Sequence, residues 1–167
     1  MALLNILHFP DDRLRKISKV VEHFDDRLNR LIDDMLETMY DAPGVGLAAV
    51  QVGQPIRLIV IDVTDDRSDP KVLINPVIMA KEGSQTSDEG CLSVPSIYEP
   101  VNRAERVIVE ALDRNGEKFQ LAATGLLGIC IQHELDHLEG IVFVDHLSVI
   151  KRMRIKKKME KLRKKTM

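Results

Sequence analysis

The sequence predicts an α+β fold: an antiparallel sheet region packed around a central helix that carries H-E-x-x-H, with a basic helix at the C-terminus. Three observations carry this reading. Short β-branched runs recur through the middle of the chain, and an Asn-Gly pair stands between two strand-like segments. Segments at 25–41 and around 126–137 instead space their apolar residues with the helical period. Residues 151–167 are dominated by lysine and arginine.

In DDRLNRLIDDMLETMYD (25–41), apolar residues fall at 28, 31, 32, 35, 36 and 39. That spacing gives a helix with one buried face, and the leading aspartates suit its N-terminus. The glycine-rich GVGLAAVQVG (44–53) follows. RLIVIDV (57–63) reads as a strand, and VLINPVIM (72–79) as a strand interrupted at Pro76. VIVEALD (107–113) and KFQLAAT (118–124) flank Arg114-Asn115-Gly116, a strong hairpin signal. Thr124 is placed to cap a helix from 125 to about 139, and Gly140 to end it. Ser148 is placed to cap the final helix.

The length of 167 residues fits one domain with a substantial core. Residues 1–150 are expected to form its main, site-bearing body and 151–167 a basic helical extension of the same domain. No apolar run approaches the roughly 18 residues of a membrane span, so no membrane partner is expected. MALLNILHF lacks a basic start and a small-residue cleavage site, so no signal peptide is expected. Two cysteines, Cys91 and Cys130, argue against a disulfide framework and for a reducing cytoplasm.

The formal charge of −2 hides an asymmetry. The segment 151–167 holds ten Lys and Arg and one Glu, out of totals of 24 and 26. The body is left with 14 basic and 25 acidic residues, near −11, beside a tail of +9. Such separation points to a polyanionic partner for the tail, although a solvated charged helix has the same composition.

QHELDHLEG (132–140) carries the chemistry. His133 and His137 lie four apart, so on a helix both imidazoles can reach one metal ion. A third protein ligand normally joins them. In one class of H-E-x-x-H enzymes it is the last position of x-x-G-x-x-H; Gly140 matches the glycine, but Phe143 cannot bind metal. A glutamate on a following helix would be Glu160, which sits in the solvated KKKMEKLRKK. Cys130 is seven residues from His137, about 10 Å along a helix axis, too far for a shared ion. It reads as a core thiol. His8, His23 and His146 lack a supporting motif and read as surface residues.

Cys91 remains, in EGCLSVP (89–95), on an extended segment free to approach the helix from the other side. It completes a Cys-His-His set whose fourth position is left for water. An open position favours catalysis over a closed structural site. The alternatives are a metallopeptidase that uses Glu160 and an RNA-binding module with a structural metal.

GVGLAAVQ (44–51), EGCLSVP and QHELDH (132–137) occur in that order and resemble the three signature motifs of the peptide deformylases. The similarity runs from LHFPDDRLR to the C-terminal helix. The resemblance implies removal of the N-formyl group from formyl-methionine at the start of new bacterial polypeptides, in the cytoplasm. It implies Cys91, His133 and His137 as metal ligands and Glu134 as the group that moves protons. It also implies the Gln51 side-chain amide and the Leu92 backbone N–H as donors to the oxyanion. The family's bacterial members are known for Fe²⁺, although affinity alone would choose Zn²⁺; Ni²⁺ and Co²⁺ are further candidates.

By the same resemblance the peptide lies as an added strand along the Gly46 region, with Gly90 also a substrate contact. The methionine side chain needs an apolar pocket. The candidates are Val45, Leu126, Ile129, Cys130 and His133, the last four at helical spacing. Tyr98 departs from the pattern, since many relatives carry a basic residue there, near the site entrance. The substrate emerges from a ribosome coated in RNA phosphate. The basic helix is therefore expected to hold the enzyme there, with no DNA partner. Met153, Ile155, Met159 and Leu162 are its expected anchors on the body.

Overall fold

The computed structural model describes residues 2–166, with side chains from 2 to 163. Helix α1 (Asp26–Asp41) starts at Asp25, whose carboxylate accepts the Leu28 N–H at 3.0 Å. This satisfies one of the first-turn donors that have no partner inside the helix. Leu28, Ile32, Met35 and Met39 are buried on one face, as the spacing predicts.

The strands are β1 (Gly46–Ala48), β2 (Leu58–Ile61), β3 (Lys71–Glu82), β4 (Gln85–Cys91), β5 (Val94–Arg103), β6 (Arg106–Leu112) and β7 (Lys118–Thr124). Five form an antiparallel sheet in the order β1-β2-β3-β6-β7, while β4 and β5 make a separate hairpin. Every residue of β2 is buried, because the sheet is covered on both faces. Leu58 and Val60 pack with the α1 residues Ile32 and Met35. Ile59 and Ile61 point the other way, to Ile131 and Leu135 of helix α2 (Gly125–Leu138).

Pro76 bends β3 without ending it. The register with β6 shifts between Ile74 and Val77, and Asn75 takes a positive φ of 52°. The Asn75 side chain accepts the Val21 N–H at 2.8 Å and donates to the Val21 carbonyl at 3.0 Å. In the β6–β7 hairpin, Gly116 rather than Asn115 takes the positive φ, at 80°. The Asp113 carboxylate accepts the N–H groups of Asn115 and Glu117 at 2.8 and 3.0 Å. The loop is thus one residue longer than a two-residue Asn-Gly turn.

Thr124 occupies the N-cap position of α2, but its side chain makes no capping bond, contrary to expectation. The far end behaves as predicted. Gly140 donates to the His137 carbonyl at 3.1 Å, and Ile141 to that of Asp136 at 2.9 Å. This is the left-handed helix ending that glycine favours. A Cβ at position 140 would also lie 2.5 Å from the Arg15 carbonyl oxygen.

Helix α3 (Val149–Thr166) starts at Ser148, whose Oγ accepts the Lys151 N–H at 3.3 Å. Of its four expected anchors, Ile155 and Met159 are buried, in a cluster with Phe9, Leu14, Val94 and Phe143. Met153 is 63% exposed and Leu162 37%. Met153 sits two residues before Ile155, so it faces away from the body. Among the described residues, no helix is long and apolar enough to cross a membrane.

Candidate metal centre

Helix α2 is covered by the sheet on one side and by the β4–β5 hairpin near its C-terminal half, so His133, Glu134 and His137 are all buried. Cys91 ends β4 and is half-buried. Its Sγ lies 3.4 Å from His137 Nε2. One donor atom from each of Cys91, His133 and His137 lies within 4.8 Å of the other two. Cys130 stays outside this group, in the core, where burial pushes its thiol up to about 12. Glu160 is exposed on α3.

Glu89 sets the orientation of His133. It lies two residues before Cys91, and its Oε1 is 2.9 Å from His133 Nδ1. Arg103, from β5, donates to both carboxylate oxygens, with Nε at 2.7 Å and Nη2 at 2.9 Å. Burial opposes the charge on Glu89, but Arg103 and His133 overcome it and hold the carboxyl at about 2. An ionised carboxylate only accepts, so His133 donates from Nδ1 and presents Nε2 to the other two donors. Burial opposes a charge on this ring, but Glu134 and Cys91 raise it well above the usual imidazole range in the metal-free chain, so an ion at Nε2 would displace a proton from it. Burial also holds His137 well below the usual imidazole range, in the neutral form a metal requires. Phe143 stacks on His133, with ring centroids 6.1 Å apart.

Glu134 lies beside the three donors. Its Oε1 is buried without a hydrogen-bond partner, and burial pushes the carboxyl up to about 7. Gln51 is buried against the same group. Its Oε1 accepts the Ala48 N–H at 2.8 Å. Its Nε2 donates to Ser93 Oγ at 2.9 Å and lies 3.4 Å from Cys91 Sγ. The Leu92 side chain covers Gly44, where a Cβ would meet Cδ1 at 2.7 Å.

A cleft of about 800 Å³ opens onto His133 and Glu134. All six expected substrate contacts, Val45, Gly46, Gly90, Leu126, Ile129 and Cys130, line it. Val45 and Leu126 are exposed, so they are not ordinary core packing. One thiol and two imidazoles converge here, with the second nitrogen of one imidazole tied to a carboxylate and an unpaired carboxylate oxygen close by. That donor set suits a divalent transition metal.

A family model described as polypeptide deformylase matches residues 3–153. The chain belongs to the peptide deformylase family. It is 60% identical over 166 residues to the peptide deformylase of Neisseria meningitidis, covering 99% of both chains. Its fold is similar to the crystal structure of the Legionella pneumophila peptide deformylase, at 51% identity and a TM-score of 0.94, over 98% of this chain and 97% of that one. The Synechococcus elongatus peptide deformylase, solved in complex with actinonin, matches at 44% identity and a TM-score of 0.89, over 94% and 88% of the two chains. Peptide deformylases are metal-dependent hydrolases that remove the N-formyl group from nascent polypeptides, and this chain is one of them.

Some residues that line the cleft escape a reading of the sequence, namely Ile6, His8 and Ile97, whereas Tyr98 lines it at the position expected near the entrance. His8 is exposed as expected, but it borders the site. The Tyr98 ring lies over Gly90, where a Cβ would fall 2.5 Å from Cε1. His146 is likewise exposed, yet its Nε2 is 2.8 Å from Asp136 Oδ2. Glu89 and Arg103 carry no sequence signal; they occupy buried positions of β4 and β5.

Proposed function

We propose that Cys91, His133 and His137 hold one divalent metal ion, and that Glu134, Gln51 and the Leu92 N–H act with it to deformylate N-terminal formyl-methionine. The observation that carries this reading is the Glu134 oxygen, buried and unpartnered beside three converging metal-binding atoms. A bound divalent ion supplies Lewis acidity, lowering the pKa of water and polarising a carbonyl. Glu134 takes the proton of the water that attacks the formyl carbon. It then gives that proton to the amine nitrogen as the C–N bond breaks and formate leaves. Its carboxyl, pushed up to about 7, is suited to both transfers near neutral pH.

The formyl oxygen gains negative charge as the water adds. The Leu92 N–H and the Gln51 N–H that now faces Cys91 Sγ donate to it. Strand β1 pairs with β2 along one edge, and Gly46 borders the cleft, so the peptide adds there as a further strand. Its methionine side chain enters the apolar part of the cleft at Val45, Leu126, Ile129 and Cys130. The ion is Fe²⁺ on the strength of the resemblance; aerobic purification should then inactivate the enzyme, and Ni²⁺ or Co²⁺ should restore it. The enzyme works in the cytoplasm, on chains emerging from a ribosome that α3 engages through its outward lysines.

The direct test is formate release from formyl-Met-Ala beside cleavage of an unformylated peptide. Stoichiometric formate from the first and no reaction with the second is expected. Internal cleavage without formate would overturn the reading.

A further inference from the structure

We propose that Asp136 and His146 are positioning residues that hold the metal ligand His133 in place from the outer side of α2, through Arg103 and Glu89. The inference rests on the assignment of Cys91, His133 and His137 as ligands. Arg103 commits Nε and Nη2 to Glu89, and Nη1 reaches Asp136 Oδ2 at 2.6 Å. The same Asp136 oxygen meets His146 Nε2 at 2.8 Å. An unbroken chain thus runs from an exposed histidine to the inner one: His146, Asp136, Arg103, Glu89, His133.

Each link has a mechanical reason. The Arg103 side chain is only 5% exposed, so a lost partner is not replaced by bulk water. Without Asp136 one guanidinium edge is unpaired, and the plane that fixes the Glu89 carboxylate is free to turn. Glu89 in turn fixes which nitrogen of His133 carries the proton. Asp136 sits on α2 between the two histidine ligands, whereas Arg103 and Glu89 belong to the hairpin that carries Cys91. The network therefore joins the two elements that supply the ligands. His146 closes the short turn Phe143–His146, whose first residue stacks on His133. That turn is held by Arg15, which bonds both Asp145 and the Gly140 carbonyl.

An ordinary structural ion pair would look similar, so the test separates stability from metal binding. Full-length enzyme is loaded with Co²⁺, and its affinity is measured by chelator competition alongside the Co²⁺ absorption bands and the Tm of the metal-free protein. Asp136→Asn should weaken Co²⁺ binding by about 10-fold or more, move the absorption bands, and lower kcat with KM unchanged. His146→Phe, at the exposed end and without risk to the core, should weaken binding in the same direction. His146→Gln, which keeps a donor, should restore it. Unchanged Co²⁺ affinity and spectrum in folded Asp136→Asn and His146→Phe, with only Tm lowered, would overturn the proposal and leave the ligand assignment standing. Tight Co²⁺ binding by Cys91→Ala would overturn both.

Discussion

The Glu134 carboxylate rests against the backbone of Gly46: a Cβ at position 46 would fall 2.5 Å from Oε2. The glycine is required here by contact, and Ala is compatible with the extended backbone of β1. Gly46→Ala should therefore fold and keep its metal while displacing the carboxylate. A shift of about 1 Å at a reacting group costs on the order of 10²-fold in rate. Steady-state kinetics with formyl-Met-Ala, beside metal analysis, should show that loss in kcat/KM with full metal content. Normal turnover would mean that Glu134 needs no fixed position.

Glu134→Ala should keep its metal and lose at least ~10²-fold in activity, the usual scale of proton transfer by a placed side chain. Loss of metal together with activity would contradict the assigned role. The same carboxyl gives the metal-free protein a pH signature. Burial raises it from its ordinary 4.5 to about 7, so the folded chain holds a proton that the unfolded chain has released between those values. Stability is then lost as pH rises through about 7, by roughly 3 kcal/mol in all. Metal-free Glu134→Gln should match the parent in urea at pH 4 and exceed it at pH 8. Equal stability at both values would remove the burial argument.

Gln51→Leu should lower kcat by about 10²–10³, the typical value of one oxyanion donor. The buried bonds add a second effect. The Ala48 N–H and Ser93 Oγ lose their Gln51 partners, at a cost of about 1–3 kcal/mol for each buried group left unpaired. Turnover unchanged in a destabilised variant would make Gln51 a structural residue.

The parts of this molecule legible in its sequence are those fixed by neighbours in the chain. His133 and His137 lie four apart on a helix that ends at Gly140, and α1 shows its buried face through Leu28, Ile32, Met35 and Met39. The β4–β5 hairpin was not legible, because QTSDEGC has no β-branched run; its strand character comes from pairing with β5. Three-residue β1 was hidden for the same reason, inside a glycine-rich stretch that reads as loop. Glu89, Arg103 and Asp136 are 14 and 33 residues apart along the chain, so only the folded hairpin brings them together. Met153 shows the opposite error: apolar character alone does not put a residue on the buried face.

Deleting residues 151–167 would strip Ile155 and Met159 from the core, so truncation mixes loss of the basic surface with loss of stability. Replacing the exposed Lys156, Lys157, Lys158 and Lys161 with Gln leaves that packing intact. Such a variant should hydrolyse a short formyl-peptide at the normal rate and lose salt-sensitive co-sedimentation with ribosomes. Phosphate contacts make such binding fall steeply with salt. Sedimentation equal to the parent's would leave α3 as a solvated helix.

The ligand assignment at the centre of the account is tested most directly by metal content per chain in Cys91→Ala and Glu160→Ala, purified in parallel without oxygen. Glu160→Ala should retain one ion, since its side chain is exposed on α3, and Cys91→Ala should retain little. A full equivalent of metal in Cys91→Ala, with loss in Glu160→Ala, would contradict the account.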